Sequence, residues 1–526
     1  MGRRRFLGGA LALATAGVAT RTSFADEPPA RPAGPLGAPA WPGGSPFTLG
    51  VASGYPHPTG VVLWTRLAPA PLIPGGGMPR ETVPVDWEVA TDDRMANVVQ
   101  HGTAVASPDW AHAVHVEVEG LEPGRWYWYR FRARGAVSAV GRTRTAPAAG
   151  AVPDRLRFAF ASCQHWEQGY FGAYPHLVAD DPDLVVFLGD YIYESARSRE
   201  TVRKFGAPEP HTLEDYRARH ALYKTDRDLQ AAHAACPWVV TWDDHEVAND
   251  YADDRSQDLQ PRERFLARRA AAYRAYCEHM PLRREMMPTG PHMRLFSRVA
   301  FGNLAQFHLL DDRQYRTYQP CTPPGRGGST TVEDCAERLD QRQTMLGLAQ
   351  ERWLESGLDG SQARWNVVGQ QTLMAQLDRK PGEGQQFWTD GWDGYPLARR
   401  RFLDYLGAGK PSNPVVIGGD VHSFWVTDLR PDFDDVGSPV VATELAGTSI
   451  TSRFPVGQTL LEIVLGDNPH VRFANGTRRG YVRVDVTSRR LRADFRALRS
   501  VTQPRSEIDT LASFVVEDGR PGAVRA

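Results

Sequence analysis

Thr241-Trp242-Asp243-Asp244-His245-Glu246, set directly behind the short apolar run Pro237 to Val240, decides how this chain is read. The run predicts a buried strand, and its tip carries three carboxylates and an imidazole. Such density is costly to fold unless the charge is compensated, and a bound metal is the usual compensation. His245 could be a ligand, or could donate a proton to a leaving group.

Working outward, five other apolar runs end in the same kind of residue. Leu156 to Ala161 ends in Ser162-Cys163-Gln164-His165, and Leu184 to Leu188 in Gly189-Asp190-Tyr191-Ile192-Tyr193-Glu194. Phe307 to Leu310 ends in Asp311-Asp312-Arg313, Trp365 to Val368 in Gly369-Gln370-Gln371, and Val415 to Ile417 in Gly418-Gly419-Asp420-Val421-His422. The first cluster continues into Asn249-Asp250. In an α/β sheet functional groups gather beyond the carboxyl ends of the strands, so six such endings predict one shared site. Asp190 could bridge two cations with its two oxygens. Tyr193 could add a phenolate beside a strongly Lewis-acidic metal. Asp420 and His422, two residues apart on an extended segment, face the same way. Cys163 suits a softer or redox-capable metal such as iron, whereas the carboxylates suit a hard cation such as calcium.

The chain of 526 residues exceeds one ordinary core, which predicts two domains. It is 41% apolar and 23% charged, a soluble, folded composition. A net charge of −1 speaks against a nucleic-acid-binding surface, which needs a basic excess. Residues 1–25 look like an export signal rather than fold. Gly2-Arg3-Arg4-Arg5-Phe6-Leu7 is similar to a twin-arginine motif, an apolar stretch follows, and Ser23-Phe24-Ala25 suits cleavage after Ala25. Removing them takes four arginines and no acid from 61 basic and 62 acidic residues, leaving 57 against 62. No later segment reads as transmembrane. The expectation is therefore a secreted, periplasmic or cell-envelope protein, with the twin-arginine translocase as export partner.

Residues 26–45, rich in Pro, Gly and Ala, read as an irregular leader. From 46 to 147 short β-type runs alternate with Pro/Gly turns: Val61 to Thr65, Val83 to Ala90, Val114 to Val118 and Trp126 to Ala133. Leu121-Glu122-Pro123-Gly124 followed by Tyr127 is similar to the tyrosine corner of immunoglobulin-like sandwiches. Nothing catalytic clusters there, so packing or shielding is its expected role. A linker over Thr145 to Asp154 leads to the region 155–526, where strands alternate with helical stretches at Glu214 to Ala235 and Pro261 to Cys277. Of five cysteines, Cys321 and Cys335 bracket a Gly/Pro/Ser/Thr-rich loop, the best local setting for a disulfide. Cys236 and Cys277 adjoin apolar residues and read as buried thiols.

Four ordered motifs resemble a known family. Phe-Ala-Ser-Cys-Gln at 160–164, Gly-Asp-x-Ile-Tyr-Glu at 189–194, Trp-Asp-Asp-His-Glu-Val at 242–247 and Gly-Gly-Asp-Val-His at 418–422 are similar to those of PhoD-type alkaline phosphatases, within the metallophosphoesterases. The resemblance implies an α/β fold, a metallophosphatase αββα sandwich preceded by a small all-β immunoglobulin- or fibronectin-like domain. It also implies an iron(III) and calcium site cleaving phosphate monoesters and diesters. By position Cys163, Asp190, Tyr193 and His422 would hold iron, while Asp190, Asp244, Asn249 and Asp420 would be shared with or given to calcium. Asp244 stands where other metallophosphoesterases carry Asn, and Tyr191 fills a variable slot; both bear on how phosphate is held.

The expected reaction is in-line attack of water on phosphorus, with Asp244 and His245 as catalytic residues and His245 steadying or protonating the leaving oxygen. Arg313 and Arg453 are further candidates to hold phosphate, each with an ordinary salt-bridge alternative. A monomer is expected. Two other readings stand beside this one. A cell-envelope binding protein would use its metals structurally, in a closed coordination shell. A carboxylic esterase using Ser162 would need a Gly-x-Ser-x-Gly elbow, which this sequence lacks.

Overall fold

Alternation along single strands sorts the core into layers. In Pro414–Gly418, Val415 and Ile417 join Phe158, Phe160 and Val186 in one apolar cluster, while Val416 joins another with Leu354, Leu358, Leu403 and Leu406. Successive side chains of a strand point to opposite faces. This strand therefore lies between a second sheet on one side and helices Gly347–Asp359 and Pro396–Gly407 on the other. Val367 and Val368 divide the same way.

These features come from a computed structural model, which describes residues 41, 44–195, 201–409 and 411–526. The export signal read at 1–25 and nearly all of the leader read at 26–45 lie outside the described residues. Two large sheets face each other. The larger has ten strands, with Leu156–Ala161, Leu184–Leu188 and Trp238–Thr241 parallel at its centre. The smaller has seven, with Ala305–Leu309, Trp365–Gly369, Pro414–Gly418 and Ala442–Ala446 parallel. All six apolar runs with polar endings are strands of these parallel groups. Helices Leu213–Lys224, Arg227–Ala235 and Arg262–His279 contact the ten-stranded sheet or one another on its side. Trp64 Nε1 donates to the Glu278 carbonyl and Trp238 Nε1 to that of Ala232. The result is an αββα sandwich.

The stretch Glu214 to Ala235 is two helices rather than one. The first ends at Lys224 with Thr225 as its C-cap, and Asp226 caps the second, its carboxylate accepting from the Asp228 and Leu229 amides. The N-terminal strands divide between two sheets. Val83–Ala90, Val98–Ala106, Trp126–Ala133, Ala136–Val137 and Gly141–Arg144 form a five-stranded sheet. Val51–His57, Gly60–Arg66 and Ala113–Val118 instead extend the ten-stranded sheet, with Gly54 paired to Trp238. A Cβ at Gly54 would sit 2.6 Å from the Trp238 carbonyl oxygen, so only glycine allows that approach. Both layers enclose Val51, Val61, Leu63, Val85, Val89 and Phe131. The Tyr127 hydroxyl accepts from the Glu122 amide at 2.9 Å, a tyrosine-corner contact. Cys321 and Cys335 are bonded, and Cys236 and Cys277 are buried thiols. Among the described residues no helix is long and apolar enough to cross a membrane.

Candidate metal centre

The strand tips turn sharply into the site. Cys163, Asp190, Asp420 and His422 all adopt the left-handed conformation, with φ between 53° and 59°. Each costs on the order of 1–3 kcal/mol for a non-glycine residue and persists only where the surroundings over-determine it. One such clamp is Glu246. Its carboxylate accepts from the backbone amides of Asp190 (3.2 Å), Tyr191 (2.5 Å) and Asp243 (2.8 Å), tying two adjacent tips together. Gly189, at φ 102°, lets them meet: a Cβ there would lie 2.5 Å from Asp243 Cβ. The tips after Ala305–Leu309 and Trp365–Gly369 staple the floor instead of supplying ligands. Gln371 Nε2 reaches Thr241 Oγ1 (2.9 Å) and the Trp242 carbonyl (2.7 Å), and Asp311 accepts from the amides of Arg313 and Gln314.

Three groups of candidate ligands converge. Cys163, Asp190 and His422 each offer an atom within 4.8 Å of the others, as do Asp190, Asp244 and His245, and Asp190, Asp243 and Asp420. Asp190 belongs to all three. Asp190 Oδ1, Asp243 Oδ2 and Asp420 Oδ2 are buried without a hydrogen-bond partner, a costly state that a cation between them would relieve. Burial pushes the Asp190 and Asp243 carboxyls well up and Asp420 to about 7, with neighbouring carboxylates adding to each rise. Burial also raises the Cys163 thiol, as do Asp190 and Asp420, and it raises the Tyr193 phenol, helped by Asp190 and Cys163. A cation would reverse each of these directions. Tyr193 Oη donates to Asp190 Oδ2 at 2.6 Å, lies 3.1 Å from His422 Nε2 and is 2.8 Å from Ser452 Oγ. A thiol, a phenol, an imidazole and carboxylates therefore meet around one point, a donor set that fits a metal centre.

The surrounding contacts orient these side chains. His422 Nδ1 lies 3.0 Å from the Arg453 carbonyl, which leaves Nε2 to face Tyr193. Glu194 Oε2 lies 2.5 Å from His245 Nδ1, and Oε1 of the same carboxylate accepts from the Asn249 amide. The His245 ring also packs against Tyr193, centroids 4.2 Å apart with the planes tilted by 32°. Asn249 donates its side-chain nitrogen to Gln257, leaving its carbonyl oxygen for another partner. Asp250 donates its amide to Asp244 Oδ2 at 2.6 Å and holds Ser329 with its own carboxylate.

Asp244, His245, Asn249, Asp250, Asp420 and His422 line one side of a cavity of about 420 Å³. The rest of its lining is mostly apolar and includes Leu377, Trp388, Trp425, Phe454 and Leu461, with Arg379 among them. Two phosphate-holding candidates are engaged with protein groups. Tyr191 is buried with its hydroxyl 2.8 Å from His233 Nε2. Arg313 is a buried salt-bridge residue, bound to Asp243 (2.5 Å) and Asp390 (2.8 Å). Arg453 contributes its carbonyl to His422. Sequence reasoning passed over Glu194 and Glu246, which stand inside the motifs, and Ser452 and Arg379, which stand in no motif.

The comparisons with known proteins agree with this geometry. Residues 158–495 match the family model for PhoD-like phosphatase, and residues 34–147 match that for the PhoD-like phosphatase N-terminal domain. The chain is 47% identical over 485 residues to alkaline phosphatase D of Bacillus subtilis (strain 168), covering 91% of this chain and 82% of that protein. A solved structure of PhoD superposes with a TM-score of 0.87 at 45% identity, covering 91% of this chain and 92% of that one. With both segments matched and the site assembled from the same motifs, the chain belongs to the PhoD-like phosphatase family and is a hydrolase of phosphoric esters.

Proposed function

We propose that this protein is a secreted or periplasmic alkaline phosphatase with phosphodiesterase activity, working at an iron(III) and calcium site. Cys163, Asp190, Tyr193 and His422 would hold the iron, and Asp190, Asp244, Asn249 and Asp420 would share or hold calcium. The mixture of sulfur, phenol, imidazole and carboxylate donors supports that division. When bound, such cations neutralise charge building on the phosphoryl oxygens and lower the pKa of water. The chain's own residues do the rest. Glu194 holds the Nδ1 side of His245 and so orients the imidazole to give a proton to the leaving oxygen. Asp244 is fixed by the Asp250 amide at the cavity wall. Residues 46–147 serve as a shielding β layer, residues 155–526 carry the catalysis, and residues 1–25 direct export through the twin-arginine route.

The observation that carries this reading is a set of buried, unpartnered carboxylate oxygens beside a carboxylate-anchored histidine on one cavity wall. The test is hydrolysis of p-nitrophenyl phosphate against bis-p-nitrophenyl phosphate, at alkaline pH with calcium, on exported protein of measured metal content. Turnover of both is expected. Absence of both in metal-loaded protein would defeat the reading.

A further inference from the structure

Among the described residues the cavity lining holds one guanidinium, that of Arg379, and it has no salt bridge. Around the site, Arg313 is bound to Asp243 and Asp390, Arg399 to Asp393, and Arg479 donates to the His422 carbonyl. Arg379 differs. Its guanidinium lies 5.1 Å from the centre of the Trp388 ring and makes no hydrogen bond or ion pair with any described side chain. Its backbone is held in place: its amide donates to the Gln386 carbonyl at 2.8 Å, while the Asp378 carboxylate accepts from the Lys380 and Gln386 amides. Trp388 is pinned in turn by pairing of Phe387–Trp388 with Thr331–Val332. A guanidinium resting on an aromatic face keeps its N–H edges free for an oxyanion. Arg379 lines the same cavity as Asp420 and His422, so an anion at the candidate ligands is within the same enclosure.

The rest of the lining is mostly apolar. Phe454, Pro455, Val456 and Trp388 bring partly exposed apolar surface, backed by the buried Leu461 and Trp425, to a cavity far larger than a phosphate alone requires. Such surface is costly to leave against water and gains when an apolar group covers it. We propose that Arg379 takes the phosphoryl oxygens of the substrate and that the ester's organic arm lies on the Phe454–Leu461 wall, so that the favoured substrates are phosphoesters with an apolar substituent. The proposal rests on the phosphoesterase reading above and names the substrate class of that same site.

The experiment uses full-length, metal-loaded protein with a series of alkyl p-nitrophenyl phosphate diesters from methyl to hexyl. For the parent, kcat/KM should climb along the series, by at most about fourfold per methylene if each is fully buried. Arg379→Gln should raise KM for every member at least tenfold and weaken inhibition by inorganic phosphate comparably, with metal content unchanged. Arg379→Lys, which keeps the charge without the fork, should fall between them and controls for a folding defect. Phe454→Ser should flatten the dependence on chain length while leaving phosphate inhibition at the parental value. A series flat or falling with chain length would overturn the apolar arm. KM and phosphate inhibition within twofold of parent in both Arg379 variants would overturn the grip. If the parent itself turned over none of the diesters and no p-nitrophenyl phosphate, the failure would lie in the underlying reading, a result these two outcomes cannot imitate.

Discussion

At the scale of single residues the most exposed claim concerns His245. A histidine whose Nδ1 is anchored on Glu194 is oriented as a proton donor, with a carboxylate to steady the charged form. His245→Ala should lower kcat by about 10²–10⁴-fold while metal analysis by mass spectrometry stays near parental. Loss of the metal together with activity would make His245 chiefly a ligand. Glu194→Gln keeps the hydrogen bond but removes the charge. It should cost on the order of 10–100-fold and displace the limb of the kcat–pH profile that depends on protonated imidazole toward lower pH. An unmoved profile would reduce Glu194 to a spacer. The sequence made His245 legible through its density of charged neighbours. Residue type alone did not separate Asp243, Asp244 and Glu246, and only the motif resemblance singled out Asp244, because acids this close in sequence look alike until the backbone aims them. Glu246 turns back to amides, Asp243 divides its oxygens between Arg313 and the cluster, and Asp244 reaches the cavity.

Elements make the site possible by ending where they do. The tip of Leu184–Leu188 must swing Asp190 out of the sheet next to Asp243, and Gly189 is the hinge of that swing. Gly189→Ala combines a positive φ with a Cβ 2.7 Å from the Asp243 backbone nitrogen. It should destabilise the fold by about 2 kcal/mol or more, measured by denaturant unfolding, and reduce metal retention. A neutral result would mean that the tip has room to relax. Strands and their polar endings were readable because apolar runs closed by Gly and acids are a local signal. What pairs with what was not. The placing of Val51–His57 beside Trp238–Thr241 depends on a partner almost two hundred residues away, and periodicity carries no information about it. Arg379 was hidden for a related reason, since its meaning comes from Trp388 beneath it and a cavity built by other segments.

Across the whole molecule, charge buried away from the site sets how stability follows pH. Lys224 lies over Trp64 and is buried, and burial lowers its pKa from 10.5 to about 7. Between those values the unfolded chain keeps a proton that the folded chain has lost, so stability rises with pH through that window. His220, with a pKa lowered from 6.5 to about 3 by burial and by Lys224, acts in the same direction between pH 3 and 6.5. Lys224→Met should therefore raise stability at pH 7 or below by a few kcal/mol, with the gain shrinking toward pH 10.5. Thermal unfolding across that range checks it, and a gain independent of pH would place the effect in packing alone.

The loop after Ala442–Ala446 gives the cluster a second role. Ser449 bridges to Ser162, the Ile450 amide donates to the Ser162 carbonyl, and Ser452 Oγ reaches both the Cys163 carbonyl and Tyr193. Asp420 and His422 arrive from one sheet, Cys163, Asp190 and Asp244 from the other. The cluster is thus a seam between the two sheets, where a bound cation would hold together carboxylates that otherwise repel one another. Chelation should loosen the whole molecule as well as silence it, visible as a lower melting temperature and faster amide exchange at 163–165 and 420–423 together. With the cations proposed above in place, the protein's durability would follow the local supply of ions as well as its apolar core.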